Sequence, residues 1–170
     1  MDNKKFQAEM AAIQSDIDDA HGSHQFLAGA ALSLGELGQN PELTTAQIKQ
    51  VLKPLGNLAR GVEDGSDEAN VQINAAQALG KIGLRDGLDR DIVEAVASEL
   101  HNLRCCSSSG TAQQSSRALM QQVQQKYPDA IDWKRFKEPE RLSPDDIRTT
   151  KDGRQFRVIV EGKDRRKSTS

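Results

Sequence analysis

The chain repeats part of itself at an offset of 45 residues, the distance from Ala30 to Ala75. The match runs without a gap through two helical patterns and the loop between them. The matched positions are Ala30, Ala31, Leu34, Gly35, Gly38, Leu43, Val51, Leu55, Asn57 and Leu58 in the first copy, and Ala75, Ala76, Leu79, Gly80, Gly83, Leu88, Val96, Leu100, Asn102 and Leu103 in the second. Chance similarity between two amphipathic helices would not keep both the loop length and the glycines. The repeat therefore predicts helical hairpins stacked in tandem, because a single hairpin cannot bury both of its faces.

Apolar residues spaced three and four apart predict six helices along the first part of the chain. These helices begin near residues 4, 24, 45, 68, 90 and 111, and the last ends at Lys126. A third, degenerate copy of the repeat begins at residue 115 and is more polar on its outer side, as a terminal helix requires. The second helix, from His24 to Leu37, is apolar or small on nearly every side, so we expect it to be buried between its neighbours.

The stretch Val71-Gln-x-x-Ala-Ala-x-Ala-Leu-Gly-x-Ile-Gly83 resembles the HEAT-like repeat, including the short form found in phycobilin (PBS) lyase subunits. The resemblance covers roughly residues 24–104 and, more weakly, 111–127. Gln72 and Ala69 stand where that repeat usually has arginine and proline. The resemblance implies an all-α fold, a short α-α superhelix whose second helices form a concave binding surface.

The charge distribution divides the chain into two parts. Residues 1–132 hold 11 Lys/Arg and 18 Asp/Glu, a balance of −7, whereas residues 133–170 hold 12 basic and 7 acidic residues, a balance of +5. We therefore predict a HEAT-like helical domain over 1–127 and a basic extension over 128–170. Within the extension, alternating residues predict a β-hairpin over 147–161 around Asp152-Gly153, followed by a flexible tail.

Several features of the sequence predict the cellular compartment of the protein. No run of about 18 apolar residues is present, so no membrane span is expected. The N-terminal segment is acidic and amphipathic, unlike an ordinary signal peptide. Cys105 and Cys106 are adjacent, and a disulfide between neighbours is strained and links nothing distant. These features predict reduced thiols in a cytoplasmic protein.

The candidate partner-binding residues lie on the paired second helices and in the extension. On the helices they are Lys49, Lys53, Asn57, Glu94, Ser98, Glu99 and Asn102, and in the extension they are Trp133, Phe136, Arg154, Phe156, Arg157, Arg165 and Arg166. Asn57 and Asn102 match across the repeat, which packing alone does not require; the alternative is a helix C-cap role. Trp133 and Phe136 are either an exposed anchor for a partner or a clamp that pins the segment against the last helix.

The sequence predicts no catalytic residue, cofactor or metal ligand. Asp18, Asp19, His21 and His24 could in principle hold a metal ion, but the preferred interpretation is a solvated helix end. The cysteine pair could serve thiol chemistry or could simply end a helix. No nucleophile–base–acid set and no phosphate loop is recognisable.

These observations predict a non-catalytic adaptor or assembly subunit that binds another protein through the repeat surface and the extension. The first alternative is an enzyme or accessory subunit of the lyase-like HEAT type, which would need a cofactor pocket and a thiol. The second is a nucleic-acid-associated protein that uses the basic tail, because clustered lysine and arginine attract phosphate.

Overall fold

The computed structural model describes residues 1–20, 23–60, 68–107, 109–136, 147–149 and 155–157. Six α-helices follow the chain: α1 (Asn3–Asp18), α2 (His24–Gly38), α3 (Thr45–Arg60), α4 (Glu68–Gly83), α5 (Arg90–Cys106) and α6 (Gly110–Lys126). All six predicted helices are thus confirmed. A short 3₁₀ segment (Trp133–Phe136) and two three-residue strands, β1 (Ile147–Thr149) and β2 (Gln155–Arg157), come after them. Within these ranges, no helix is long and apolar enough to cross a membrane.

The helices pack in two layers. In one layer α2 packs on α4 and α4 packs on α6; in the other α3 packs on α5, and α1 lies against α2. Helix α4 also contacts α3 and α5, so it is the central element of the packing. The buried side chains of the six helices form one continuous core, built mainly from alanine, leucine, isoleucine and valine. This all-helical packed unit is the coarse architecture that the repeat predicts.

Glycines allow the helices of the first layer to approach closely. A Cβ atom placed on Gly35 of α2 would lie 2.7 Å from the Cβ of Ala78 on α4, closer than real Cβ contacts allow. Gly80 receives the side chain of Leu119 from α6 in the same way. The matched glycines therefore mark the line along which each helix of this layer receives the next one, and no side chain larger than hydrogen fits there without a shift.

Local signals explain where α3 begins and why it continues. At its start, the backbone N–H of Thr44 donates to Gln47 Oε1 (2.9 Å), and the N–H of Gln47 donates to Thr44 Oγ1 (3.3 Å). This is a capping box, typical of a threonine followed three residues later by a glutamine, and it satisfies two N–H groups that have no partner within the helix. Helix α3 also runs through Pro54, because its apolar stripe extends beyond the proline.

Contacts divide the chain into two compact units, Met1–Phe136 and Lys137–Ser170. The helical unit therefore extends past the boundary predicted at residue 127 and includes the 3₁₀ segment. In the second unit β1 and β2 pair antiparallel, with Arg148 opposite Phe156. The turn at Asp152-Gly153 and residues 158–161 lie outside the described residues, so the hairpin over 147–161 stays a prediction.

One prediction about α2 is wrong. Phe26 and Leu32 are 66% and 39% exposed, and they are the large hydrophobic side chains most open to solvent in the described part of the chain. The opposite side of the helix is buried, with Leu34 fully enclosed. Apolar composition all round predicted burial all round, but α2 is the first helix of its layer and has a neighbour on one side only.

Candidate functional site

A cleft of about 340 Å³ opens where the C-terminal ends of α3 and α5 meet α4. We refer to it as the α3–α5 cleft. It is lined by Ala59, Arg60, Gln72, Asn102, Cys106 and Ser107. The cleft brings the predicted candidate Asn102 together with one of the two cysteines, on the paired second helices where a binding surface is expected.

A polar cluster lies at one rim of the α3–α5 cleft. Arg60 Nη1 pairs with Glu99 Oε1 at 2.6 Å, and Arg60 Nη2 donates to Asn57 Oδ1 at 3.0 Å. The Glu99 carboxylate lies over Gly56, where an added Cβ would come within 2.8 Å of it. The second oxygen, Glu99 Oε2, is buried and accepts no hydrogen bond from the described residues. The cluster therefore fixes the Glu99 carboxylate beside Arg60, with its second oxygen enclosed by the surrounding residues.

The floor of the cleft is polar and buried. Gln72 is 3% exposed and Ser107 is 6% exposed, and the Ser107 hydroxyl donates to Gln72 Oε1. Gln113 Nε2 donates to the backbone oxygen of Ser107 at 2.6 Å. These bonds connect α4, the end of α5 and α6, so Gln72 has a structural partner here. A buried glutamine needs such partners because an unpaired amide in the interior is costly.

Two other candidates on the second helices form ion pairs within the chain. Lys49 Nζ lies 2.9 Å from Asp91 Oδ2, and the hydrogen bond and charge of Lys49 hold the pKa of Asp91 below its ordinary value. Glu94 Oε1 lies 2.6 Å from Arg135 Nη1. A partner at either residue would therefore have to compete with an existing contact. Lys53 is exposed and Ser98 is half-buried, and both lie on the predicted surface.

The two aromatic candidates of the extension are buried. Trp133 and Phe136 are 9% and 8% exposed. Trp133 Nε1 donates to the backbone oxygen of Tyr127 at 2.9 Å, and the Phe136 ring meets His101 edge-on with centroids 5.7 Å apart. These two side chains are therefore not an exposed anchor for a partner. They instead hold the segment against the helical unit, where Phe136 contacts α5 and not the last helix, α6.

The remaining candidates of the extension lie where the structure describes no side chain. Arg154, Arg165 and Arg166 lie outside the described residues, and Phe156 and Arg157 belong to β2, of which the backbone is described. Their suggested contact with a partner or with nucleic acid stays a prediction.

A histidine that the sequence reasoning missed lies beside the cysteine pair. His101 Nε2 is 3.7 Å from Cys105 Sγ, and Arg104 Nη2 donates to His101 Nδ1 at 2.8 Å and to the backbone oxygen of Phe136. Because Arg104 can only donate, Nδ1 accepts and the proton of the neutral ring lies on Nε2, directed at the thiol. The four-residue spacing from His101 to Cys105 on one helix was the signal available in the sequence.

The surroundings of His101 predict a pH-dependent stability. Burial, and then the charge of Arg104, lower the pKa of His101 in the folded protein. As the pH falls, the unfolded chain therefore takes up a proton at His101 at a higher pH than the folded chain does. The free energy of unfolding should fall as the pH drops from about 6.5 towards the lower pKa of the folded protein. Urea unfolding at a series of pH values between about 7.5 and 5 measures this.

The His101→Gln variant should remove most of that slope, whereas the neighbouring Asn102→Ala variant should keep it. Acidic groups stabilised by ion pairs, such as Asp91 and Asp86, have folded pKa values below their ordinary range, so their protonation affects stability at lower pH. An unchanged slope in His101→Gln would contradict the prediction.

Within the described ranges, no three His, Cys, Asp or Glu side chains are grouped so as to hold a metal ion. Asp18 and Asp19 end α1, and their side chains bond within that helix, to Gln14 and Ser15. His24 begins α2, and His21 lies outside the described residues.

No protein-family model matches the chain, and neither a curated protein nor a solved structure matches it significantly. The function therefore has to be argued from the helical packing and from the α3–α5 cleft themselves.

Proposed function

We propose that the chain is a non-catalytic protein-interaction adaptor of the HEAT-like class, with the α3–α5 surface as its binding face. The 45-residue repeat, the two helix layers and the glycines between α2, α4 and α6 support the HEAT-like assignment. In such arrays the paired helices of one layer provide an extended surface for a partner.

The observation that carries this proposal is the polar rim of the α3–α5 cleft. Of the matched residues, Asn57 accepts from Arg60, which pairs with Glu99, and Asn102 lines the cleft together with Arg60. The amide of Asn102, which lines the cleft, suits a partner segment that offers both N–H donors and C=O acceptors, such as an extended peptide backbone or an amide side chain. The apolar walls of the cleft add area that a partner side chain can cover.

Two single substitutions test the rim on a partner that has first been identified by affinity capture. Asn102→Ala removes an amide from the cleft, and Gly56→Ala pushes the Glu99 carboxylate out of position without removing its charge. Each should raise the Kd about tenfold, the effect of a moderate interface residue. Titration calorimetry measures the change.

Gly110→Ala is the matched control, because Gly110 begins α6 and an added Cβ there meets nothing within 4 Å. All three variants should keep the helical circular dichroism of the parent chain. Parental affinity in both rim variants would place the partner elsewhere and end the proposal for this face.

The extension is proposed as a second contact for the same partner. An isolated two-stranded hairpin is marginal in water, so a hairpin over 147–161 gains from packing or from adding to a sheet of the partner. Deleting residues 147–170 should weaken capture. Unchanged affinity after the deletion would remove the extension from the adaptor model.

A thiol-dependent lyase-like accessory is the second candidate, and the His101–Cys105 contact is the observation that favours it. The His101 ring, held by Arg104, lies with Nε2 3.7 Å from Cys105 Sγ, within reach of a hydrogen bond to the thiol. Both cysteines are exposed and free. The Cys105→Ser/Cys106→Ser double variant should then lose activity on a bound chromophore or protein, while an adaptor would keep its partner.

A further inference from the structure

Helix α2 presents an unpaired face at the open end of its layer. On α4, the positions one repeat later contact the preceding helix: Asn74 donates to the backbone oxygen of Ala28, and Ala78 lies against Gly35. The matching positions on α2 are Gly29 and Ser33, and both are exposed. An added Cβ on Gly29 would meet nothing within 4 Å. This face of α2 is therefore shaped to receive another helix.

The side chains on this face are more apolar than an array end requires. Leu32 is 39% exposed, whereas the matching residue on α4 is the polar Gln77. Phe26 is 66% exposed, whereas the matching Val71 is fully buried. At the other end of the layer, α6 closes the array with exposed polar residues, among them Gln121 and Gln124. Large apolar groups left in solvent at one end only indicate an interface.

Exposed side chains of like chemistry flank Gly29 on both sides, two of them apolar and two of them polar. Phe26 and Leu32 lie three residues before and after it, and Gln25 and Ser33 lie four residues before and after it. Because successive residues of a helix are about 100° apart around its axis, the two members of each pair lie at equal angles on opposite sides of Gly29. A two-fold interface requires such self-complementarity, because the same patch must contact itself.

We propose that this face of α2 binds a second copy of the chain, with the two α2 helices antiparallel and crossing at Gly29. In this arrangement Phe26 of one copy lies level with Leu32 of the other and on the side of Ser33. There it meets the groove of about 420 Å³ between α1 and α2, to whose lining Ser33, Leu37 and Ile13 contribute. Each copy thus gives one phenyl ring and receives one.

Charge complementarity agrees with the antiparallel direction. Glu36 is exposed near the end of α2 and comes level with the start of the partner's α2. That start is the positive end of the helix dipole, and its N-cap residue, Ser23, makes no side-chain capping bond. A head-to-tail stack would instead bring the polar face of α6 onto Phe26 and Leu32, which leaves these apolar groups without an apolar partner.

Sedimentation equilibrium of the full chain over a wide concentration range tests the dimer. The fitted mass should rise to twice the 18.6 kDa of one chain. Phe26→Glu should raise the dimer dissociation constant at least tenfold, because a buried aromatic at an interface often contributes more than about 1.4 kcal/mol and is used twice here. Gln121→Glu, on the polar face of α6, should leave the constant unchanged.

Cross-linking tests the direction of the helices. Two variants, Gln25→Cys and Ser33→Cys, are made in a Cys105→Ser/Cys106→Ser background. A short bifunctional thiol reagent should cross-link one variant to the other when the two are mixed. Neither variant should form a cross-linked dimer by itself. All these positions are exposed, so the variants should keep the parental circular dichroism. A monomer at every concentration, or joining of each variant with itself, would overturn the proposal.

Discussion

Replacing Leu79 with alanine should lower the free energy of unfolding by about 2–5 kcal/mol. Leu79 lies on α4, which packs on α2, α3, α5 and α6, and its side chain is fully buried. The substitution removes buried apolar area and leaves a cavity, and helices held on several sides cannot move in to fill it. Urea unfolding at one fixed protein concentration measures the difference.

Gln77→Ala is the matched control on the same helix. Gln77 is exposed, so its replacement should change the free energy of unfolding by no more than about 0.5 kcal/mol. Similar losses in both variants would mean that α4 is not the centre of the packing. A small loss in Leu79→Ala alone would mean that the neighbouring helices close the cavity.

Shortening the chain to residues 1–127 should cost about 3–5 kcal/mol of stability, whereas shortening it to 1–136 should cost little. The segment between these ends buries three large side chains, Ile131, Trp133 and Phe136. It also supplies the backbone oxygen that accepts from Arg104. Losing the segment exposes apolar surface on α5 and leaves a half-buried guanidinium with fewer partners.

Thermal unfolding followed by circular dichroism compares the two shortened chains with the full chain. Two single substitutions in the full chain separate packing from length: Trp133→Ala should reproduce much of the loss, and the exposed neighbour Lys134→Ala should not. If both shortened chains unfold at the same temperature, residues 128–136 do not belong to the helical unit.

The helices and their caps could be predicted because their signals are local. The capping box at Thr44 and the passage of α3 through Pro54 depend on residues within a few positions of each other, and both are seen in the structure. The tandem packing could also be predicted, because the glycines matched at the 45-residue offset are those that the next helix approaches.

The candidate site could be predicted only in part. Asn57 and Asn102 were found because they match across the repeat, and the structure places both near the α3–α5 cleft. The orientation of the Glu99 carboxylate could not be predicted, because it depends on Arg60 of another helix and on space above Gly56. The role of Trp133 could not be decided either, since an aromatic residue is equally compatible with burial and with exposure.

The sequence by itself determined the six helices, their pairing by repeat and the polar closing helix α6, since hydrophobic spacing and glycine position are properties of neighbouring residues. The tertiary structure alone decided which faces stay open. Phe26 and Val71 occupy the same place in the repeat, yet one is exposed and the other is fully buried. The physical reason is that burial depends on whether another helix lies alongside, and α2, unlike α4, has one on a single side of its layer.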